Sequence, residues 1–405
     1  MTTTATTMGK CDAYSQPRMV LPAIVGFYFA SRLCFTYFFF QSDPQTGAAV
    51  SCALNLFLLA VVGFHSLGPA PNTIASTLRV PCFRWVVAFL AVSFCSLAWS
   101  ATVSVPVAFV YWCGMAADVA MVVLLLRTGP MESMSSALMK GYVCGACFIA
   151  CVTWLSPTMQ DLRPGNDDFF SPNAIGFTCA FGVFFAQFLN RSTRNWKIPA
   201  AFLAITLLRS LSKTTIVAFV AGETLLLVRD ASISRRTKVM LAFASTLVIA
   251  TFWGLIEAYY EIYTTAGNQA ETLTGRLGIW AVVLQRSLEQ PWIGHGFHSF
   301  RNVIPPFGTF EAWHAHNEVL QQFYAYGIVG IFLLIALYVS FYRQLRRVSS
   351  QHKTLFLGLL LFIVVRGLGD TERFDLSFPL WSIALISLML SRPESSQPNS
   401  IEVPA

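Results

Sequence analysis

Runs of roughly 18–25 apolar residues recur along the whole chain, and this pattern restricts the fold more than any other feature of the sequence. In lipid, every backbone N–H and C=O group must be bonded within the protein, so only helices or closed barrels span a membrane. Segments such as 121–127 (MVVLLLR) and 332–342 (FLLIALYVSFY) do not alternate between apolar and polar residues. Because barrel strands require that alternation, we predict an all-α, polytopic membrane protein.

The composition supports one membrane domain over residues 1–405. Only 12% of the residues are charged, whereas a soluble domain carries about 25%. We find no internal repeat. The net charge of +7 follows from the topology derived below and does not indicate nucleic-acid binding. Most of the ten cysteines lie in apolar runs, which favours small buried side chains over a disulfide framework.

About twelve membrane spans are predicted. They cover residues 19–40, 48–64, 85–99, 105–126, 140–156, 172–190, 197–211, 214–228, 238–256, 317–341, 354–369 and 376–391. If both termini are cytoplasmic, most Lys and Arg residues fall in cytoplasmic loops, as the positive-inside rule requires. The polar N-terminus is then a cytoplasmic tail and not a cleavable signal peptide. Residues 393–405 are expected to be a disordered cytoplasmic tail.

The longest polar interval, residues 257–316, is predicted to be a large periplasmic loop between spans 9 and 10. This loop contains four of the six histidines, so we expect the chemistry at this membrane face. Its residues 274–290 have the apolar periodicity of an amphipathic helix that begins at Thr274 and ends before Pro291. A cation in the first turn of a helix opposes the helix dipole. Arg276 at that position therefore indicates an anionic ligand.

Two further cations, Arg209 and Lys213, flank the short connection between two predicted spans. Cations at membrane depth usually face a cavity or a partner, so both could point into one cavity. The alternative is that their side chains extend to the lipid headgroups.

The segment HAHNEVL (314–320) leads into the tenth span. His314, His316 and Glu318 are spaced by two residues, and residues so spaced on a helix point apart. Neither of the usual zinc signatures, HExxH or paired CxxC, is present here, so we predict no metal. A histidine at a helix N-terminus that faces a polar cavity suits proton transfer. The alternative for His316 is a purely structural role.

Five motifs together resemble the O-antigen ligase and O-antigen polymerase superfamily over roughly residues 160–370. They are FFSPNAIG (169–176), SLSKTTIVAF (210–219), TGRLGIW (274–280), QPWIGHGFHSF (290–300) and HAHNEVL (314–320). Lys213 stands where many members have Arg, and a lysine cannot make the planar bidentate contact of a guanidinium. The Ser-Lys-Thr form is similar to that of exopolysaccharide polymerases.

The resemblance implies a glycosyltransferase of the GT-C kind in the bacterial inner membrane, with its active site facing the periplasm and without a metal or other cofactor. Such an enzyme moves a glycan from a polyprenyl (undecaprenyl) diphosphate carrier to an acceptor sugar hydroxyl. His316 would be the catalytic base. The expected diphosphate-binding residues are Arg276, Lys213 and Arg209. The expected supporting residues are Asn317, Glu318, His314 and Asn173.

The sequence leaves several functions open. We expect polymerisation of O-antigen or exopolysaccharide repeat units, with ligation of the glycan to lipid A–core as the alternative. A transporter of lipid-linked glycans would also have about twelve spans, but it would contain two pseudo-repeats that the sequence does not show. A structural membrane protein is the third possibility.

Overall fold

A computed structural model describes most of the chain. The described residues are 17–39, 44–68, 74–156, 163–165, 170–192, 194–229, 234–251, 254, 273–301, 303–306, 312–348, 352–371 and 377–391. Residues 1–16 of the predicted N-terminal tail and the predicted tail 393–405 lie outside these ranges, as do parts of the predicted periplasmic loop.

Regular structure in the described residues is helical. The helices are α1 (Pro17–Phe39), α2 (Pro44–His65), α3 (Ile74–Thr77), α4 (Pro81–Cys95), α5 (Val105–Arg127), α6 (Met131–Leu155), α7 (Pro172–Ser192), α8 (Lys197–Arg209), α9 (Lys213–Arg229), α10 (Arg235–Thr251), α11 (Leu273–Ser287), α12 (Glu318–Arg347), α13 (Lys353–Gly367) and α14 (Ser377–Leu390). Each predicted span overlaps one helix, and α11 corresponds to the predicted amphipathic helix. The all-α prediction is therefore confirmed.

Five helical stretches of the described chain are long and apolar enough to cross a membrane. They are Pro81–Ala98, Val105–Arg127, Met131–Leu155, Pro172–Arg191 and Glu318–Arg347. Shorter apolar helices occur at Met19–Arg32, Val50–His65 and Pro379–Leu390. The protein is thus a multi-pass membrane protein by length and composition, while the number of twelve spans and their orientation stay predictions.

The centre of the bundle is α7, whose phenylalanines are buried among neighbouring helices. Phe177, Phe181 and Phe184 each pack against Phe362 of α13, with ring centroids 5.6 to 5.9 Å apart. A methyl group added at Gly176 would lie 2.8 Å from Ser210 Oγ, so the first turns of α7 pack tightly against the α8–α9 connection. This contact fixes the start of α7 against the connection that leads into α9.

α12 is divided into two segments at Gly327, whose φ of 61° and ψ of −148° are not helical. Tyr338 Oη donates a 2.8 Å hydrogen bond to Glu318 Oε2 from 20 residues further along the same element. A straight helix would separate these residues by about 30 Å at 1.5 Å per residue. The segments 318–326 and 328–347 must therefore run antiparallel, and the single span predicted at 317–341 is interrupted.

The glycine-rich segment 291–296 fills this break. Four backbone hydrogen bonds of 2.7 to 3.4 Å join it to α12, between His295 and Tyr324, Gly296 and Ala325, Ile328 and Pro291, and Val329 and Trp292. Helix ends leave backbone groups without intrahelical partners, and these bonds satisfy several of them. A side chain at Gly294 or Gly327 would overlap the facing backbone. The glycines of this motif are thus required by close backbone contact.

Candidate active site

Four chain segments converge where α9 and α11 begin and α13 ends. Arg276 of α11 donates to Thr214 Oγ1 at 3.1 Å and to the carbonyl oxygen of Gly369. Asn317 Nδ2 donates to the carbonyl oxygen of Leu368 at 2.9 Å. These contacts bring residues of three sequence motifs, among them the predicted Arg276 and Asn317, to the connection that follows α13.

Asp370 forms the centre of the site. Its Oδ1 lies 3.3 Å from His316 Nδ1 and 3.4 Å from His314 Nε2. Arg366 contacts the other carboxylate oxygen, Oδ2, at 3.1 Å. Asp370, His316 and Arg366 are buried, so the carboxylate holds the histidine pair in a largely dry environment.

Arg366 keeps Asp370 ionised. Burial by itself would raise the pKa of Asp370, but the charge of Arg366 and hydrogen bonds from His314 and His316 outweigh it and hold this pKa well below its usual range. The guanidinium of Arg366 is in turn positioned over the Phe177 ring, 3.8 Å from its centroid. The carboxylate is therefore an acceptor at every pH near neutrality.

The backbone of residues 312–317 is not helical, and this corrects the sequence argument that His314 and His316 point apart. The helix begins only at Glu318, and His316 adopts a left-handed conformation with φ 49°. Trp280 Nε1 donates to the carbonyl oxygen of Ala315 at 2.9 Å, which fixes the segment against α11. In this geometry both rings face Asp370, with their centroids 4.1 Å apart.

Asn317 and Glu318 support the histidine in different ways. Asn317 is the N-cap of α12, because its Oδ1 accepts from the Leu320 N–H at 3.1 Å. Glu318 is buried, and its hydrogen bond from Tyr338 ties the start of the first α12 segment to the middle of the second.

Arg276 is held by neutral groups. Its guanidinium donates to a hydroxyl and a carbonyl, and its Nε has no hydrogen-bond partner among the described residues. No described carboxylate forms an ion pair with it. Lys213 is exposed at the first position of α9, beside Thr214. The two cations thus lie at the start of adjacent helices, where backbone N–H groups also favour an anion.

Arg209 and Asn173 lie in neighbouring parts of the structure. The Arg209 guanidinium stacks 4.1 Å from the Trp154 ring centroid and contacts the carbonyl oxygen of Thr153 at 3.5 Å. It therefore packs on the end of α6, and its predicted role in diphosphate binding stays a prediction. Asn173 Oδ1 accepts from Ser212 Oγ at 2.7 Å, so this residue shapes the α8–α9 connection that precedes Lys213.

Asp370 and Arg366 are not among the site residues that the sequence predicts. Both lie in the segment 366–375 (RGLGDTERFD), which combines charge with a short connection between two apolar runs. Their spacing of four residues is the helical spacing for an ion pair, and this signal could have identified them.

His314, His316 and Asp370 are also the described residues best placed to hold a metal ion. One potential ligand atom from each lies within 4.8 Å of the others. Two histidines and a carboxylate form a plausible donor set for zinc. Arg366 already occupies the second carboxylate oxygen, however, and its positive charge opposes a cation beside Asp370.

Residues 198–335 match the protein family described as O-Antigen ligase. The chain is also 29% identical over 179 residues to an O-antigen ligase of Pseudomonas aeruginosa. That alignment covers 44% of this chain and 41% of the relative. The family match includes Lys213, Arg276, His314 and His316 but ends before Arg366 and Asp370.

Proposed function

We infer that this chain transfers a glycan from a lipid-diphosphate donor to an acceptor sugar hydroxyl. Its resemblance to the O-antigen ligase and polymerase superfamily is borne out by the family match and by the Pseudomonas aeruginosa relative. The observation that carries this proposal is the pairing of His316 with the ionised Asp370 beside Arg276, whose hydrogen-bond partners among the described residues are neutral. A proton acceptor and an anion-binding cation are the two requirements of this reaction.

His316 acts as the general base. Its Nδ1–H donates to Asp370, which fixes the tautomer and leaves Nε2 to accept the proton of the acceptor hydroxyl. The hydroxyl oxygen then attacks the anomeric carbon of the donor sugar, and the bond from that carbon to the diphosphate oxygen breaks. Asp370 stabilises the imidazolium that forms, as an oriented carboxylate does for a catalytic histidine in other enzymes.

Arg276 and Lys213 bind the departing diphosphate. Negative charge accumulates on the leaving oxygen, and fixed cations in a dry site stabilise such charge strongly. Arg276 retains donors beyond its contacts to Thr214 and Gly369, and the α9 N-terminus adds backbone N–H groups. The polyprenyl chain would extend into the lipid beside these helices. We propose that the reaction needs no metal.

The acceptor decides between two versions of this reaction. The names of the matching family and relative favour ligation to lipid A–core, whereas the Ser-Lys-Thr sequence favours polymerisation of repeat units. A strain that lacks the gene distinguishes them by its glycans. Single-repeat products would indicate a polymerase, and lipid-linked polymer that never reaches lipid A would indicate a ligase.

The function is tested with purified protein and an undecaprenyl-diphosphate-linked oligosaccharide. Wild-type protein should transfer the glycan, and His316→Ala should lose about 10²–10⁴-fold in turnover, the usual size of general-base assistance, while it still binds the donor. His65→Ala is the matched control, because His65 is exposed at the end of α2. Normal turnover by His316→Ala would exclude the base assignment, and ATP-free transport of intact donor by the wild type would favour a transporter.

A further inference from the structure

A second group of polar and aromatic side chains lies beside the catalytic histidines. We define the aromatic cluster as Tyr111 of α5 together with His298, Arg301 and Trp313. The Arg301 guanidinium lies 3.9 Å from the Trp313 ring centroid, and its NH1 is 3.4 Å from Tyr111 Oη. The His298 ring stacks on Tyr111 with centroids 4.8 Å apart and planes tilted by 20°. Three separate chain segments therefore meet here, where Tyr111 is buried and His298, Arg301 and Trp313 form a partly exposed surface.

His298 is strained and uncharged. Its φ of 61° lies in the left-handed region that non-glycine residues seldom occupy, and such strain concentrates at functional sites. Burial and then the charge of Arg301 lower the pKa of His298 to about 4. The ring is thus neutral at pH 7, with Nδ1 3.1 Å from Thr102 Oγ1. Because Nδ1 contacts Thr102, Nε2 is the nitrogen that can donate to or accept from a sugar hydroxyl, as the tautomer decides.

Arg301 supplies a positive charge at this surface. Among the described residues, no carboxylate forms an ion pair with it. A guanidinium stacked on tryptophan keeps its edge available for hydrogen bonding, and its planar shape fits a carboxylate. The cluster therefore combines aromatic rings, a neutral histidine and a cation.

The cluster is rigidly linked to the catalytic site, because Trp313 immediately precedes His314. The segment that contains both is fixed by the Trp280–Ala315 hydrogen bond and by burial of Ala312 and Ala315. Consecutive Cα atoms are about 3.8 Å apart. A glycan with its reacting end at His316 would place a nearby sugar at the cluster.

We propose that the aromatic cluster is a subsite for a sugar ring that carries a carboxylate. The C–H face of the sugar packs on the aromatic side chains, Arg301 pairs with the carboxylate, and His298 bonds to a ring hydroxyl. Assignment of this sugar to the glycan that reacts at His316 rests on the proposed function. Binding of the sugar alone does not.

Saturation-transfer NMR on the purified protein tests the subsite with two probes, methyl β-glucuronide and methyl β-glucoside. We expect a strong signal from the glucuronide and a signal several-fold weaker from the neutral glucoside. Arg301→Gln should remove the preference, and Trp313→Leu should reduce both signals. Arg286→Gln is the matched control, because Arg286 is exposed in the last turn of α11 and pairs with Glu289.

The milder variants Arg301→Lys and Trp313→Phe keep charge or aromatic character and show whether loss of binding reflects loss of folding. They should keep part of the signal. Equal signals from both probes in the wild type, or unchanged signals in Arg301→Gln and Trp313→Leu, would overturn the proposal. Displacement of the glucuronide by inorganic phosphate at equal concentration would overturn it too, because the site would then bind any anion. His316→Ala should bind the glucuronide normally, so failure of the subsite and failure of the proposed reaction are distinguishable.

Discussion

At the scale of single residues, the site depends on which side chains share Asp370. Its two oxygens are used by different partners, with the histidine pair on Oδ1 and Arg366 on Oδ2. Removing a partner from a buried charged group leaves that charge uncompensated, which is costly. Each residue of this group should therefore affect both the position and the protonation of the others.

Asp370→Asn should lower turnover strongly while donor binding is retained. An amide cannot stabilise the imidazolium on His316, and it can present its N–H₂ group to the ring and select the wrong tautomer. We expect a loss of about 10²–10⁴-fold with little change in KM for the donor. The measurement is turnover between pH 5 and 9.

Asp370 is ionised throughout that range in the wild type, so Asp370→Asn removes a negative charge beside His316. A positioning role therefore predicts a shifted pH profile for Asp370→Asn. Asp370→Glu, which keeps the charge, should recover part of the activity. An unshifted profile together with a raised KM would assign Asp370 to substrate binding instead.

Zinc should inhibit the enzyme. The ion would take the ligand atoms of His314, His316 and Asp370 and so remove the base from the reaction. EDTA should leave turnover of freshly purified protein unchanged and should reverse the inhibition by zinc. Loss of activity with EDTA that zinc restores would instead make this group a metal centre, contrary to our proposal.

Substitutions at Lys213 should separate charge from geometry. Lys213→Ala removes one of the two cations and should reduce transfer sharply, because leaving-group charge is then poorly stabilised. Lys213→Arg keeps the charge and should retain activity. Donor turnover by purified variants is the measurement, and wild-type turnover in Lys213→Ala would exclude the residue from diphosphate binding.

At the scale of structural elements, the break in α12 places the site. The antiparallel segments on either side of Gly327 bring Glu318 to Tyr338, and the loop segment 291–296 bonds to the exposed backbone of the break. Broken helices within membranes are stable only where other protein groups satisfy their backbone. The glycine-rich motif and α12 therefore form one structural unit.

Gly327→Ala should disrupt this unit. Its φ and ψ lie in a region that is essentially restricted to glycine, and a methyl group would overlap the backbone of Pro291 and Trp292. We expect a lower thermal unfolding midpoint in detergent and a loss of transfer. Gly63→Ala is the control, because nothing lies within 4 Å of the added methyl group and the residue is in α2. Equal midpoints for the two variants would show that the break tolerates a side chain.

At the scale of the whole molecule, orientation in the membrane decides which substrates reach the site. Basic residues cluster at the ends of helices such as Arg346 and Arg347 of α12 and Arg235 and Arg236 of α10. From the positive-inside rule we predict that these ends lie in the cytoplasm. The site, at the opposite ends of α9 and α13, would then open toward the periplasm.

Labelling of single cysteines tests this orientation in a variant without the native cysteines. An impermeant maleimide added to intact cells should modify a cysteine at position 305, between α11 and α12, and should modify one at position 236 only after the membrane is opened. The reverse pattern would place the site in the cytoplasm and exclude a periplasmic reaction.

The sequence by itself determined the helices, because apolar runs of membrane length reflect a local rule of backbone burial in lipid. It also indicated Arg276, Lys213 and His316 through motifs that are contiguous in the chain. Only the tertiary structure decided which residues contact them. Asp370 contacts His316 although the two are 54 residues apart in sequence, and Gly369 contacts Arg276 at a separation of 93 residues. These contacts depend on how α7, α9, α12 and α13 pack. No local pattern specifies them, since periodicity defines which face of a helix is apolar but not which residues of distant segments meet there.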